Sequence, residues 1–244
     1  MQIPSISLII PAYNESMLLP RLLASVEKAR QVFAKSNGEL EVIIADNCST
    51  DRTAQIASEN GCWVVSVEQR CIAAVRNGGA KAATGEILAF VDADSVIHEN
   101  TFVHLREILS DGRFVGGATG VTLERWSPGI FIVYLLLLPF ILLSKMDTGV
   151  VFCRRADFEE IGGYDERLQF AEDVTFLFAL RRLGKMRGQS LVRATQVKAV
   201  ASTRKFDEHG DWHYFGLIWR AGCSALFGND VEKIADRYWY KPNR

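Results

Sequence analysis

The first half of the chain alternates between short, uninterrupted apolar runs and segments in which apolar residues recur with helical spacing. The apolar runs predict four buried strands, at residues 5–10, 42–45, 63–67 and 87–91. The helical spacing predicts three helices: one that begins near Leu19, one at residues 51–60 and one at residues 71–83. Buried strands separated by helices are typical of a parallel sheet covered on both faces. We therefore expect an α/β fold with a mostly parallel sheet.

The second half of the chain is less regular and contains one long uncharged segment. It predicts strands at 114–123 and 150–153, a helix at 172–183 that ends at Gly184, and extended stretches at 190–192 and 196–201. Residues 126–144 carry no charge, and the aromatic-rich tail 211–244 is expected to form packed helices.

Composition and charge narrow the class of protein. The chain has 244 residues, 48% of them hydrophobic, and a formal net charge of -1, which fits a globular protein with a large core. The near-neutral balance argues against nucleic acid as a partner. Five cysteines without a C-x-x-C pair indicate reduced thiols, and the N-terminus has no cationic stretch typical of a signal peptide. We expect a cytoplasmic location.

Three of the predicted strands end in polar, acidic clusters. These clusters cover residues 11–15, 46–51 and 92–94. Any one of them is typical of a turn or a helix cap. However, the carboxyl ends of parallel strands meet at one edge of the sheet, where such folds bind ligands. No G-x-G-x-x-G or G-x-x-x-x-G-K-[ST] pattern is present, which disfavours a dinucleotide dehydrogenase and a P-loop NTPase.

Asp92 and Asp94 have the spacing expected of a divalent-cation site. Residues two apart on an extended segment face the same side. Carboxylate oxygens suit Mg²⁺ or Mn²⁺, which also bind phosphate oxygens. An acidic edge of this kind can meet a diphosphate only if a cation lies between them.

The ordered set of motifs resembles a family 2 glycosyltransferase of the GT-A fold, over roughly residues 5–210. The resemblance rests on Pro-Ala-Tyr-Asn-Glu at 11–15, Asp-Asn-Cys-Ser-Thr-Asp at 46–51, Ala-Val-Arg-Asn-Gly-Gly at 74–79, Phe-Val-Asp-Ala-Asp-Ser at 90–95, Cys-Arg-Arg at 153–155, Ile-Gly-Gly-Tyr-Asp-Glu at 161–166 and Glu-Asp at 172–173. It implies a nucleotide-sugar-binding half at 1–98, an acceptor half at 99–210 with an apolar helix at 130–144, and a separate tail at 211–244.

The resemblance also implies roles for individual residues. Those that match donor-binding positions are Pro11, Tyr13, Glu15, Asp46, Arg76, Asp92, Ala93 and Asp94. Asp94 matches the ligand of a Mn²⁺ or Mg²⁺ cofactor, with Asp92 beside it. Asp173 matches the general base, and Glu172 is its neighbour. Arg204 resembles a basic residue of a late loop that closes over the diphosphate, and His209 in the same loop is a further candidate metal ligand, although loop histidines are commonly just solvated.

Two departures from the family pattern carry information. Cys48 stands where the family often has glycine, so we expect an altered turn there. No Q-x-x-R-W motif is present, and this motif marks processive polysaccharide synthases. The resemblance therefore implies inverting transfer of one sugar per encounter from a UDP-sugar, with GDP- and dTDP-sugars as alternatives. Two other functions stay open at this point: a nucleotidyltransferase on a related nucleotide-binding fold, and a catalytically silent binding protein of the same fold.

The uncharged segment 126–144 has three interpretations. A helix over residues 130–144 would be about 22 Å long, which is short of the ~30 Å hydrocarbon core, so we do not expect it to span a membrane. It could be a core helix, a homodimer interface, or a contact with a membrane surface near a lipid-linked acceptor. The last interpretation would place the protein peripherally at the inner face of the cytoplasmic membrane, with a glycan or lipid-linked acceptor.

Overall fold

The computed structural model describes residues 5–144, 149–168 and 171–212, with only the backbone at 137, 139–144, 205 and 209. Strands and helices alternate along most of the chain. In order they are β1 Ile6–Ala12, α1 Leu19–Ala34, β2 Leu40–Asp46, α2 Thr53–Glu59, β3 Trp63–Ser66, α3 Ile72–Ala82, β4 Ile87–Phe90, α4 Thr101–Ser110, β5 Phe114–Leu123, α5 Pro128–Ser144, β6 Val151–Arg154, α6 Arg155–Ile161, α7 Glu172–Met186, β7 Ser190–Ala201 and α8 Arg204–His209.

A seven-stranded sheet has the strand order β3-β2-β1-β4-β6-β5-β7. The first four strands are parallel to one another, whereas β6 runs antiparallel to both β4 and β5. The structure thus confirms the expected α/β fold with a mostly parallel sheet. From β1 the chain adds β2 and then β3 on one side, and it returns to place β4 on the other side of β1. The strand order therefore reverses between β1 and β4, and open sheets of this type bind ligands at such a point.

Alternate residues of the central strands build two hydrophobic cores. Leu8 and Ile10 of β1 lie in one core with α1 and α4, whereas Ile9 lies in the other with α3, α6 and α7. Helix α3 packs so closely on the sheet that a Cβ on Gly79 would lie 2.5 Å from Ile9 Cγ2. The absence of a side chain at Gly79 therefore allows this helix to approach β1.

Several predictions from the sequence were wrong in their boundaries or missed an element. Gly184 does not end α7: it lies inside the helix, where a Cβ would come within 2.8 Å of Val115 Cγ1. The two predicted stretches after α7 form one strand, β7. Helices α4 and α6 were not predicted from the sequence. Of the predicted tail, Asp211 and Trp212 are described and the remainder lies outside the described residues.

The chain divides into two compact units. One comprises Met1–Thr122 and Lys145–Ala201 and contains most of the sheet; the other comprises Leu123–Ser144 and Ser202–Arg244. In the second unit, Arg125 before α5 pairs with Asp207 of α8 and with Asp211. No helix in the described part of the chain is both long and apolar enough to cross a membrane.

Candidate active site

The loops that follow β1 and β2 are tied together by their own polar residues. The backbone N of Asn14 donates to Ser49 Oγ at 2.9 Å, and the backbone N of Thr50 donates to Asn14 Oδ1 at 2.8 Å. Asp51 accepts from Ser16 N at 3.0 Å. Cys48 adopts the left-handed region with φ 57°, which explains why glycine suits this position. These bonds fix the loop that carries Tyr13 and Glu15, two of the predicted donor-binding residues.

Asp46 ends β2 with one carboxylate oxygen engaged and the other without a partner. Its Oδ2 accepts from Ser49 N at 3.1 Å, and its buried Oδ1 has no hydrogen-bond partner among the described residues. An unsatisfied buried oxygen costs about 1–3 kcal/mol, so a ligand N–H or O–H that reached it would be favoured. Next to it in the sheet, Pro11 and Ala12 of β1 pair with Ala45 and Asp46.

A cation lies beside the ring of Tyr13. The guanidinium of Arg70 is 5.8 Å from the centroid of this ring. Asn47 holds the segment just before Arg70, because its Nδ2 donates to Val67 O at 2.6 Å and to Gln69 O at 3.0 Å. The sequence did not single out Arg70, because its position depends on this contact between loops.

Three of the predicted site residues meet the side chain of a fourth, Arg76 of α3. Its guanidinium donates from Nη2 to Asp92 Oδ1 at 2.8 Å and from Nη1 to Glu172 Oε1 at 2.5 Å. Nη1 also lies 3.1 Å from Asp173 Oδ1. The Arg76 side chain is only 4% exposed, whereas that of Asp92 is 49% exposed. The structure therefore places Arg76 as the link between the D-x-D segment and the start of α7.

Asp173 is the most perturbed carboxyl group of this cluster. Its buried Oδ1 has the Arg76 guanidinium as an ion-pair partner at 3.1 Å but receives no well-oriented hydrogen bond among the described residues. Burial raises the pKa of Asp173 to about 7: Arg76 opposes the rise, and the negative charges of Glu172 and Asp92 add to it. A carboxyl group with such a pKa can accept a proton at neutral pH, which suits a general base.

The segment Asp92-Ala93-Asp94 follows β4 at the carboxyl edge of the sheet. Ala93 is buried, while Asp92 and Asp94 are partly exposed on either side of it. Among the described residues, no group of three or more His, Cys, Asp or Glu side chains is placed to hold a metal ion. One or two carboxylates with substrate phosphates are nevertheless the usual Mg²⁺ ligands, so this pair fits a cation that binds together with a diphosphate.

The two late candidates, Arg204 and His209, are the first and last residues of α8. They belong to the second compact unit, whereas the other candidates belong to the first. The His209 side chain lies outside what the structure describes. The roles predicted for these two residues stay predictions.

Tyr164 is a site residue whose position the sequence did not reveal. Its ring stacks on Phe176 of α7 with centroids 4.3 Å apart, and the Arg76 guanidinium lies 5.3 Å from it. Burial, together with the charge of Asp173, raises the pKa of the Tyr164 hydroxyl, so this hydroxyl stays protonated. The sequence signal was the Gly-Gly-Tyr motif itself, but nothing in its spacing pointed to Arg76.

The raised pKa of Asp173 predicts a pH dependence of stability. The unfolded carboxyl has an ordinary pKa of 3.8, whereas the folded one keeps its proton up to about pH 7. The resulting stability is complete below the unfolded pKa and is lost as the pH rises through 7. The free energy of unfolding, measured with urea, should therefore fall between about pH 4 and pH 8 relative to that of Asp173→Asn, by up to about 4 kcal/mol.

A matched control is Asp51→Asn. Although burial alone would raise the pKa of Asp51, hydrogen bonds from Thr53 and Ser16 lower it overall. Its stabilising effect is therefore present above the unfolded pKa and is lost only at more acid pH. Parallel pH profiles for the wild type and Asp173→Asn between about pH 4 and pH 8 would contradict the assignment.

Known proteins resemble this chain in the part that contains the strand ends of the candidate site. A family model described as glycosyl transferase family 2 matches residues 7–132. Glycosyltransferase AglE of Haloferax volcanii is 36% identical over 103 residues, which cover 40% of this chain and 33% of that protein. The poly(ribitol-phosphate) beta-N-acetylglucosaminyltransferase TarS of Staphylococcus aureus is 37% identical over 101 residues, which cover 39% of this chain and 17% of TarS. The matched part is thus a third or less of these relatives.

Solved structures share the fold. A TarS fragment in complex with UDP-GlcNAc superposes with a TM-score of 0.61 at 24% identity, covering 82% of this chain and 58% of that one. The mannosyltransferase PcManGT of Pyrobaculum calidifontis, in complex with GDP-Man and Mn²⁺, has a TM-score of 0.62 at 22% identity, covering 82% and 57%. The family match covers more than half of the chain. It includes the strand ends that carry Tyr13, Asp46, Asp92 and Asp94, and helix α3 with Arg76. The chain therefore belongs to glycosyl transferase family 2.

Proposed function

We propose that this protein transfers a sugar from a nucleoside-diphosphate sugar to an acceptor hydroxyl, with inversion at the anomeric carbon and one sugar per encounter. The observation that carries the proposal is the shared guanidinium of Arg76, which brings Asp92 of the D-x-D segment and Asp173 of α7 to one point. Displacement at the anomeric carbon needs groups beside the leaving diphosphate and a base beside the acceptor hydroxyl. In this cluster Asp92 would lie on the donor side and Asp173 would be the base. The related folds in complex with UDP-GlcNAc and GDP-Man support a donor of this class.

The donor would lie along the carboxyl edge of the sheet, with its nucleoside between the first two strand ends. The unpartnered Oδ1 of Asp46 favours a base or ribose that offers an N–H or O–H. Uracil, thymine and guanine each carry a ring N–H, so UDP-sugars are the first donors to test, with GDP- and dTDP-sugars next. Tyr13 and Glu15 would complete the nucleoside site, and Arg204 would close over the diphosphate.

Asp173 would remove the proton of the acceptor hydroxyl. As the acceptor oxygen forms its bond to the anomeric carbon, the bond from that carbon to the diphosphate oxygen breaks and its electron pair leaves with the nucleoside diphosphate. The proton of the hydroxyl moves to Asp173, whose pKa of about 7 lets it accept a proton at neutral pH. Arg76 would keep this carboxylate oriented, and Glu172 would share the same guanidinium.

A divalent cation would be held by Asp94, with Asp92 beside it and His209 as a further proposed ligand. When bound, Mn²⁺ or Mg²⁺ would neutralise the negative charge that develops on the departing diphosphate. Asp92 already gives Oδ1 to Arg76 and exposes about half of its side chain, which leaves it able to face a donor as well.

A donor screen tests the proposed function directly. Release of nucleoside diphosphate should be detected with at least one of the UDP-, GDP- or dTDP-sugars in the presence of Mn²⁺ or Mg²⁺ and an acceptor preparation. Release of pyrophosphate from a nucleoside triphosphate would instead indicate a nucleotidyltransferase. Nucleotide binding without turnover of any donor would indicate a silent binding protein.

The Asp173→Asn variant separates catalysis from binding. Because the amide cannot accept the acceptor proton, turnover should fall by at least a hundredfold, in line with the usual size of general-base catalysis. The dissociation constant of the nucleoside diphosphate, measured by calorimetry, should change little. Glu107→Gln on the exposed face of α4 is a suitable charge control. Turnover close to the wild-type rate in Asp173→Asn would remove Asp173 from the mechanism.

The Asp94→Ala variant tests the cation site. Without this carboxylate, we expect the increase in nucleoside-diphosphate affinity on adding Mn²⁺ to disappear, while the affinity without metal stays close to that of the wild type. Calorimetry with and without Mn²⁺ measures both quantities. An unchanged metal-dependent increase would mean that other residues hold the cation.

Helix α5 is proposed as a contact with a membrane surface, which fits a lipid-linked or cell-envelope glycan acceptor. Four of its apolar side chains are 40–55% exposed: Phe131, Ile132, Leu135 and Leu136. Trp126 packs edge-on against Tyr134 at 5.3 Å and stays about half exposed, as aromatic residues at bilayer interfaces do. The protein would then act at the inner face of the cytoplasmic membrane.

Liposome co-sedimentation tests this contact. The double variant Leu135→Glu with Leu136→Glu should lose most binding to vesicles, because each glutamate would have to enter apolar lipid. Met186→Glu, which changes another exposed apolar residue, should bind as the wild type does. Equal binding of all three proteins, or a dimer in solution that the double variant dissociates, would contradict the membrane contact.

A further inference from the structure

The side chain of Asn77, next to Arg76 on α3, forms hydrogen bonds with both the backbone N–H and the backbone C=O of Tyr164. Tyr164 N donates to Asn77 Oδ1 at 2.9 Å, and Asn77 Nδ2 donates to Tyr164 O at 2.9 Å. The same Nδ2 donates its other hydrogen to Glu166 Oε1 at 2.8 Å. The amide therefore pairs with residue 164 much as a neighbouring strand would, and both of its N–H groups are used.

Two further features show that this contact is built into the local structure. Gly163 has φ +74°, and a Cβ at this position would lie only 2.7 Å from Asn77 Oδ1, so the approach requires glycine. At the N-terminus of α3, Cys71 Sγ lies 3.4 Å from Glu166 O and 3.7 Å from Leu168 O. Helix α3 thus holds residues 164–168 at two separate points.

The held residue, Tyr164, contacts both parts of the proposed catalytic cluster. Its ring lies under the Arg76 guanidinium at 5.3 Å and stacks on Phe176 at 4.3 Å. Phe176 is one turn beyond Asp173 on the same helix, so the position of the ring sets where the first turn of α7 lies relative to Arg76. A shift of Tyr164 would therefore move the Asp173 carboxylate away from the guanidinium that orients it.

We propose that Asn77 is a positioning residue, which clamps Tyr164 and thereby fixes the general base relative to Arg76. This role rests on the proposed glycosyl transfer. Among the described residues, the side-chain hydrogen bonds of Asn77 go to Tyr164 and Glu166, and none goes to the D-x-D segment or to the strand ends of the proposed donor site. Its loss should accordingly affect the chemical step and leave donor binding largely intact.

The test compares the wild type with Asn77→Ala in two independent measurements. Amide hydrogen exchange of residues 163–168 should become at least tenfold faster, because the bond from Tyr164 N is lost. The kcat for nucleoside-diphosphate release should fall by about ten- to a hundredfold, since small misplacements of catalytic groups have effects of this size. The dissociation constant of the nucleoside diphosphate should change by less than about twofold.

Two variants serve as controls. Glu166→Gln keeps an oxygen that can accept from Asn77 Nδ2, so its exchange and kcat should stay close to those of the wild type. If Asn77→Ala does not fold, the isosteric Asn77→Asp replaces it. Asn77→Asp still accepts from Tyr164 N but cannot donate to Tyr164 O, and it faces Glu166 with a like charge. It should speed exchange at residues 165–168 and lower kcat in the same direction.

The outcomes separate this proposal from the proposed function. Unchanged exchange in both Asn77 variants would overturn the clamp, and faster exchange with an unchanged kcat would overturn the positioning role. A parallel loss of kcat and donor affinity would indicate a general structural defect and would also overturn it. Exchange does not depend on turnover, so a wild type that is inactive with every donor would count against glycosyl transfer, while faster exchange in Asn77→Ala would still support the clamp.

Discussion

The positive charge of Arg76 is buried at the carboxyl edge of the sheet, and the arrangement around it follows from the need to compensate that charge. Removing a guanidinium from water costs several kcal/mol unless partners replace the lost hydration. Asp92, Glu172 and Asp173 are those partners, at 2.5–3.1 Å from its Nη atoms. The loop after β4 and the first turn of α7 are therefore held together by electrostatics as well as by packing.

Three carboxylates around one guanidinium leave an excess of negative charge, and this excess has a consequence for chemistry. Asp173, whose Oδ1 is buried, responds to this excess with a raised pKa, while the more exposed Asp92 can face a donor and a cation. A structural requirement and a catalytic requirement are thus met by the same residues. Asn77 and Tyr164 extend the arrangement by fixing the ring on which Arg76 rests.

The first half of the fold could be predicted closely, because buried parallel strands are short apolar runs and their polar ends must meet at one edge of the sheet. Asp46 and Asp92 were identified in this way. The contacts of Arg76 could not be predicted, since Glu172 is 96 residues away in sequence and only the tertiary fold brings the first turn of α7 to the side chain of Arg76. Gly184 was misinterpreted for a related reason: a glycine in sequence indicates a helix end, but here it makes room for Val115. The resemblance to the family supplied the role of Asp173, whose perturbed pKa arises from tertiary burial.

We propose that Asp173, held beside Arg76, is the base of a glycosyl transfer. The most direct test is the pH dependence of kcat/KM for the active donor, which reports the essential groups of the free enzyme. We expect kcat/KM to rise with pH through a midpoint near 7, where the Asp173 carboxyl loses its proton, and then to level off. A profile that is flat between about pH 5 and pH 9 would contradict it.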